Sequence, residues 1–173
     1  MGLSFESGKR LTFPNNQGGQ ETDKMMGSKK RTVLFVDWNN ELQSQIAECL
    51  LEKLHGDLFE SYSAGPEYSY VDCDAMVAMS SCSHDIRRHM SKNFRALDKM
   101  SFDYVVVMDE ASLKVPDERL PLHKKRINRV FGGKECFRAT DDQELFDCYK
   151  GLIEDISAWI DENFRSYESV DAL

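Results

Sequence analysis

The stretch VLFVDWNNELQSQIAE, residues 33–48, decides how the chain folds. It opens with apolar and β-branched residues, which are typical of a buried strand, and continues through a polar turn. Its second half has apolar residues at helical spacing, and this periodicity extends to residue 54. A strand, a short loop and a helix start form the arrangement with which α/β proteins bind phosphate groups. This loop, however, carries the acids Asp37 and Glu41 and has no cationic side chain.

Length and charge limit the class of protein. The 173 residues fit one domain that can bury a core. A formal net charge of −8 argues against general nucleic-acid binding, because no cationic excess offsets the phosphate charge. No apolar run reaches the roughly 18 residues of a membrane-spanning helix, and the start of the chain lacks the apolar region of a secretory signal. We therefore expect neither nucleic acid nor membrane as a partner.

The cysteines indicate the cellular compartment. All five are scattered along the chain without metal-ligand spacing. Such a pattern favours reduced thiols, so we expect a cytoplasmic protein that holds no cofactor and no metal. His84 and His89 are five residues apart, which does not align them on one helix face, and we interpret both as structural.

Strand patterns alternate with helix patterns along the chain. Strands are predicted at residues 32–36, 58–63, 102–108 and 128–131, and helices at residues 45–54, 71–81 and 143–164. The almost wholly apolar run at 102–108 is typical of a central strand in a parallel sheet. This alternation predicts an α/β domain with a parallel sheet.

The ends of the chain and one basic run are interpreted separately. Residues 1–30 are polar and without periodicity, which predicts a disordered extension. The folded domain is predicted at residues 31–165, followed by a tail at residues 166–173. The basic run HKKR at residues 123–126 is interpreted as a solvated loop.

The opening stretch resembles the low-molecular-weight protein tyrosine phosphatase superfamily, which also includes the thioredoxin-coupled arsenate reductases. In that family an apolar strand leads into a loop of Cys, five residues, Arg and Ser, and then into a helix that begins Gln-x-Ala-Glu. Ser44, Gln45, Ala47 and Glu48 match this helix start. Asn40 matches an Asn that is usual inside the loop.

Later segments match the same family in order and spacing. They are SAG at residues 63–65, DIRRHMS at 85–91, FDYVVVMD at 102–109, and DD at 141–142 before the last helix. The match covers roughly residues 31–165. It implies a three-layer α/β/α fold around a central four-stranded parallel sheet.

Two replacements fall on the residues that carry the family's chemistry. Asp37 stands where the family has its nucleophilic Cys, and Gln43 stands where it has the Arg that clamps phosphate. Two unit charges about 4 Å apart repel by roughly 4 kcal/mol at an effective dielectric of about 20, and the lost Arg pairing adds to this. The resemblance therefore implies a catalytically inactive phosphatase-like protein, with no catalytic residue and with a binding or regulatory role toward an unknown protein or small-molecule ligand.

The candidate ligand-binding residues form the loop and the first turn of its helix. They are Asp37, Trp38, Asn39, Asn40, Glu41, Leu42, Gln43 and Ser44. We hypothesise that Asp37 folds its carboxylate into the N–H groups of its own loop, where the relatives hold phosphate. Trp38 either lines a ligand pocket or packs, and Glu41 is expected to be exposed to solvent.

Asp141 matches the general acid of the family, but Asp142 replaces the Pro that follows it there. Acids before a long helix also cap its first N–H groups and suit its dipole. We favour the helix cap for Asp141.

Two other functions stay open. The loop DWNNEL, residues 37–42, faintly resembles the nucleophile loop of haloacid-dehalogenase-type phosphatases, in which Asp37 would act with a divalent metal. Alternatively, the chain is an interaction domain whose surface lies away from the loop. A relay of disulfides, as in arsenate reductases, is not expected, because Cys73 and Cys82 would lie on opposite faces of one helix.

Overall fold

The computed structural model describes residues 29–132 and 138–173. Almost all of the predicted N-terminal extension lies outside these residues, and so does Cys136. No helix in the described parts of the chain has both the length and the apolarity needed to cross a membrane. A cytoplasmic location stays a prediction.

A four-stranded parallel sheet forms the centre of the domain. Its strands are β1 (Arg31–Val36), β2 (Phe59–Ala64), β3 (Ser101–Val107) and β4 (Leu122–Asn128). They lie in the order β2-β1-β3-β4, and every neighbouring pair is parallel. The α/β fold with a central four-stranded parallel sheet is thereby confirmed.

The described residues form four α-helices. They are α1 (Gln43–His55), α2 (Cys73–Ser81), α3 (Asp142–Asn163) and α4 (Tyr167–Asp171). Shorter 3₁₀ helices occur at Phe94–Leu97, Ser112–Lys114 and Asp117–Arg119. The helices predicted at residues 45–54, 71–81 and 143–164 are therefore confirmed within two residues at each end.

Side chains of β1 alternate between two cores, as the period of a strand requires. Val33 and Phe35 face the first core, which residues of all four α-helices complete. Leu34 and Val36 face the second core, which is covered by the 3₁₀ helices and the segments between them. Because β1 is buried on both faces, the loop that leaves its carboxyl end starts from a fixed point.

The fourth strand was predicted at the wrong place. It spans Leu122–Asn128 instead of residues 128–131, and the basic run at residues 123–126 lies inside it rather than in a loop. β4 is an edge strand, and such a strand tolerates charged side chains because one side faces water. Lys124 pairs with Asp103 at 2.6 Å and Arg126 pairs with Asp117 at 2.7 Å, so the charges are neutralised locally.

The segment expected to be a tail, residues 166–173, packs on the domain. It contains α4, whose Val170 is fully buried in the first core. Tyr167 packs edge-on against Phe59 with 5.4 Å between ring centroids. Asp171 accepts a hydrogen bond of 2.5 Å from the Tyr104 hydroxyl and forms an ion pair with Arg31. The packed domain therefore extends to the end of the chain.

Candidate functional site

Residues 37–42 connect the carboxyl end of β1 to the start of α1. β1 is flanked by β2 on one side and β3 on the other, so the chain crosses over in opposite directions from this strand. In open α/β sheets such a switch point forms a crevice in which ligands bind. The structure thus brings all eight candidate residues, 37–44, to one place at the carboxyl edge of the sheet.

Asp37 fills the centre of this loop and is only 2% exposed. Its Oδ1 accepts a hydrogen bond of 3.1 Å from the Glu41 N–H. Its Oδ2 accepts bonds from the Leu42 N–H at 3.3 Å, from the Ser44 N–H at 2.8 Å and from the Ser44 hydroxyl at 2.7 Å. These donors surround the start of α1, where a helix favours negative charge. The carboxylate thus takes the place that the hypothesis of an internal anion predicts.

The environment of Asp37 raises the pKa of its carboxyl above the ordinary value of 3.8. Burial is the main cause, because it penalises the charged form. The N–H and hydroxyl of Ser44 oppose the rise, the charge of Asp109 adds to it, and the Glu41 N–H opposes it again. Among the described residues no cation contributes to this balance, so the carboxyl of Asp37 is held there by neutral donors.

Asn40 fixes the shape of the loop. It is fully buried and has a φ of 50°, in the left-handed region that Asn tolerates better than most residues. Its Nδ2 donates to the Ser44 hydroxyl at 2.8 Å, and its Oδ1 accepts from the Gln45 amide at 3.0 Å. The same Oδ1 accepts from the Lys92 N–H at 2.7 Å. One side chain thereby ties the loop to α1 and to the segment before β3.

The DIRRHMS segment, residues 85–91, supports the loop from outside. His89 Nδ1 contacts Gln45 Oε1 at 3.0 Å, which orients the amide that bonds to Asn40. The Ser91 hydroxyl donates to the carbonyl of Asn39 at 2.7 Å and accepts from the Ser69 N–H at 3.0 Å. The structural interpretation of His89 is confirmed.

Asp109 was not among the predicted site residues, although it belongs to the site. Its Oδ2 accepts from the Trp38 N–H at 3.0 Å, and its Oδ1 accepts from the Ser112 N–H at 2.9 Å. The signal for it was an acid directly after the buried central strand, since the carboxyl ends of parallel strands meet at one edge. Asp109 and Asp37 place two acids beside the loop.

The remaining loop residues turn away from the centre. Gln43 Nε2 donates to the carbonyl of Gly132 at 3.0 Å and makes no hydrogen bond with residues 37–42. Glu41 is half-buried, and its Oε1 accepts from Asn39 Nδ2 at 3.2 Å, so the expectation of a solvent-exposed side chain was wrong. Trp38 is half-buried and packs against the second core, as one of its two interpretations predicted.

Asp141 does not join the loop. Its side chain accepts a hydrogen bond of 2.8 Å from the Glu144 N–H and caps α3, as predicted. None of the hydrogen bonds between described residues connects Asp141 with residues 37–44. The position that resembles the family's general acid therefore has a structural role here.

Neither a disulfide nor a metal-binding cluster occurs among the described residues. Cys49, Cys73, Cys82 and Cys148 are free thiols. Within residues 29–132 and 138–173, no three His, Cys, Asp or Glu side chains are grouped so that they could hold a metal ion. A metal at Asp37 would also have to displace the four hydrogen bonds that its oxygens accept.

Known proteins resemble the chain in sequence and in fold. Residues 32–167 match the model of the family described as low molecular weight phosphotyrosine protein phosphatase. An arsenate reductase of Bacillus cereus is 32% identical over 104 residues, which cover 60% of this chain and 75% of that protein. The arsenate reductase 1 of Staphylococcus epidermidis is 29% identical over 105 residues, or 61% of this chain and 76% of its own length.

Solved structures share the fold at low sequence identity. The tyrosine phosphatase Wzb from Escherichia coli K30, solved with sulphate, superimposes with a TM-score of 0.60 at 20% identity, covering 79% of this chain and 99% of Wzb. The fold of this chain is thus that of a known group of proteins over about four-fifths of its length. The chain belongs to the low molecular weight phosphotyrosine protein phosphatase family.

Proposed function

We propose that this chain is a catalytically inactive member of its family and acts as a binding or regulatory module for a protein or small-molecule ligand. The observation that carries the proposal is the set of four hydrogen bonds accepted by the buried carboxylate of Asp37.

The loop has no thiolate nucleophile. Asp37 stands at the position of the family's Cys, and a carboxylate can act as a nucleophile only if it reaches the phosphorus atom. Both of its oxygens point into N–H and hydroxyl donors, and the side chain is 2% exposed. Attack on a substrate would require Asp37 to leave these partners.

The loop also lacks the means to hold an oxyanion. Backbone N–H groups of residues 41, 42 and 44, which could bind phosphate oxygens, already bind Asp37. Gln43 carries no charge and bonds to the carbonyl of Gly132 instead. An incoming phosphate would meet the acids Asp37 and Asp109 without a bidentate Arg to offset them.

Relatives of the chain are named as enzymes, namely arsenate reductases and tyrosine phosphatases. The resemblance of this chain to them covers the fold and the supporting residues of the loop. The resemblance does not extend to the Cys and Arg positions on which the reaction of the family depends. We therefore assign to this chain the shape of the family and not its reaction.

A hydrolysis assay tests the proposal. Purified full-length protein is incubated with p-nitrophenyl phosphate, beside Asp37→Ala and the double variant Asp37→Cys with Gln43→Arg. We expect the wild type and Asp37→Ala to release product at the same background rate. The double variant restores the nucleophile and the clamp on a loop whose support is intact, so we expect it alone to turn over substrate in proportion to its concentration.

The same assay distinguishes an inactive protein from the alternative of a metal-dependent phosphatase. It is repeated with added Mg²⁺ and with a chelator, and Asp37→Asn serves as the matched variant. Wild-type turnover that requires Mg²⁺ and is lost in Asp37→Asn would overturn the proposal in favour of an aspartate nucleophile. Wild-type turnover without metal would overturn it outright.

A further inference from the structure

The edge of the sheet opposite the loop contains two adjoining cavities of about 370 and 270 Å³. They open between the amino ends of β1, β3 and β4 and share Asp103 and Lys124 as wall residues. The basic run at residues 123–126, to which the proposed function gives no role, contributes to both. We call the larger cavity and its walls the amino-edge site.

Cations outnumber acids around these cavities. Four lysine or arginine side chains and one histidine line them against two acids; they are Lys29, Arg31, His123, Lys124, Lys125, Asp103 and Asp171. The whole chain carries a net charge of −8. A local positive excess in such a chain attracts anions to this edge.

Some of these cations are used inside the protein. Arg31 pairs with Asp171 at 2.8 Å, and Lys125 Nζ donates to the carbonyl of Asp171 at 2.7 Å, so both hold α4 in place. These contacts account for the smaller cavity. The cations of the amino-edge site, by contrast, keep hydrogen-bonding capacity for a ligand.

Lys29 makes no hydrogen bond or ion pair with any residue that the structure describes. His123 Nδ1 donates to the carbonyl of Pro121 at 2.8 Å, so Nε2 is a donor to an anion in the imidazolium form of the ring, in which both nitrogens carry a proton. Lys124 pairs with Asp103, yet its side chain is 80% exposed and its ammonium has two further hydrogens. Three donors therefore line one cavity with capacity for an anion.

The same cavity has an apolar wall. Leu122 is 73% exposed, and it lines the cavity together with Phe102, a buried residue of the second core. Phe102 and His123 are paired in the register of β3 and β4, so the apolar and cationic walls are adjacent. A ligand with an anionic group next to an apolar group would satisfy both.

We propose that the amino-edge site binds a phosphate monoester. Lys29, His123 and Lys124 donate to the phosphate oxygens, and the organic group of the ester packs against Leu122. The ester is either a free small molecule or the headgroup of a lipid, because both present the same chemistry. This site is separate from the loop at residues 37–42 and does not depend on the loop being inactive.

A titration of the full chain with phenylphosphonate tests the proposal, because this probe combines the two groups and is not hydrolysed. Amide shifts in nitrogen-15 NMR report where it binds. We expect shifts at residues 101 and 122–124, and binding that weakens with added salt. The variant Lys29→Gln with His123→Gln should lose about two- to fivefold in affinity for each group removed.

Two further variants separate binding from folding effects. Lys150→Gln makes the same charge change on α3, outside the site, and should leave the affinity unchanged. Asp103→Asn removes the acid that competes for Lys124, and we expect it to bind the probe more tightly. A purely structural disturbance would not strengthen binding. Thermal unfolding of each variant checks that it is folded.

Vesicles identify the source of the ester. The chain is sedimented with vesicles of phosphatidylcholine alone and of phosphatidylcholine with phosphatidic acid. Binding only to the second kind, lost in the Lys29 and His123 variant, assigns a lipid headgroup; binding of phenylphosphonate without vesicle binding assigns a free small molecule. The proposal is overturned if neither probe binds at millimolar concentration, or if Lys150→Gln weakens binding as much as the site variant.

Discussion

We propose that Asp37 and Gln43 occupy the loop positions that carry the chemistry of the family pattern, whereas Asn40, Gln45 and His89 match that pattern. The first pair differs in charge and in reach from the Cys and Arg of the family. The second group makes the bonds that fix the loop, with distances of 3.0 Å for both Gln45 to Asn40 and His89 to Gln45. The shape of the loop and its chemistry are therefore supported by different residues.

This separation has a physical consequence for Asp37. A loop held in this shape directs N–H groups inward, and a buried N–H without a partner costs about 1–3 kcal/mol. The N–H groups of Glu41, Leu42 and Ser44 obtain their acceptor from Asp37. Asp37 thus accepts hydrogen bonds from a shell of inward N–H groups whose positions the supporting residues fix. Changes at Asn40 should consequently cost more stability than changes at Gln43, whose side chain bonds to the carbonyl of Gly132 and not to this shell.

The largest effect is expected from Asn40→Ala. It removes three buried hydrogen bonds, to Ser44, Gln45 and the Lys92 N–H, at a residue with a positive φ. We expect the free energy of unfolding to fall by about 3–5 kcal/mol, measured by urea denaturation.

Asn40→Gly is the matched control, because it removes the same side chain and accepts the left-handed backbone. It should be more stable than Asn40→Ala by about 1 kcal/mol. Equal stabilities of both variants and the wild type would contradict the supporting role of Asn40.

Gly65→Ala should be the next most costly change. An added Cβ would lie 2.5 Å from the carbonyl oxygen of Asp37 and 2.6 Å from that of Trp38, and both are backbone atoms. We expect a loss of about 2–3 kcal/mol, because the loop has to shift. Gly151→Ala, where no atom lies within 4 Å of the new Cβ, should instead gain about 0.5–1 kcal/mol by raising helix propensity. A Gly65→Ala variant as stable as Gly151→Ala would show that the loop carbonyls of Asp37 and Trp38 leave room for a side chain at residue 65.

Asp37→Asn should change how stability depends on pH. Because folding raises the pKa of Asp37, its contribution to stability is fully present below the unfolded value of 3.8 and is lost as the pH rises through the folded pKa. The variant has no titrating group there. Relative to this variant, the free energy of unfolding of the wild type should fall by up to about 1.4 kcal/mol per pH unit above pH 4. Urea denaturation at several pH values measures this difference. A wild type that gains stability over this range would mean that the N–H donors outweigh burial.

Gln43→Ala should have the smallest effect. Its side chain is partly exposed and makes one hydrogen bond, to the carbonyl of Gly132. We expect a loss below about 1 kcal/mol in the same urea experiment, since water can replace the amide at that carbonyl. A loss as large as that of Asn40→Ala would place Gln43 in the supporting group.

Much of the fold followed from local patterns. The apolar run at residues 102–108 identified β3, and the helical spacing after residue 44 identified α1. β4 was misplaced because an edge strand can carry Lys124 and Arg126, whose charges look like those of a loop. The sequence predicts a tail at residues 166–173 because a helix as short as α4 has too few residues to show a periodicity.

The contacts of the site were predictable where the two partners lie close together in the sequence. Asp141 caps α3 through a residue three positions later, and Asp37 binds donors four to seven positions later. The support for the loop could not be derived in this way. His89 contacts Gln45 across 44 residues of sequence, and Asp109 contacts Trp38 across 71. Contacts between residues so far apart in sequence form only when the strands lie side by side.

Phosphate binding at the loop tests the central claim most directly. Amide signals of residues 38–44 are followed by nitrogen-15 NMR while inorganic phosphate is added to the wild type and to Asp37→Ala, at equal ionic strength. Because the Asp37 carboxylate already holds the inward donors, we predict no shift of these signals in the wild type and a saturating shift in Asp37→Ala. A saturating shift of the loop amides in the wild type would contradict the account.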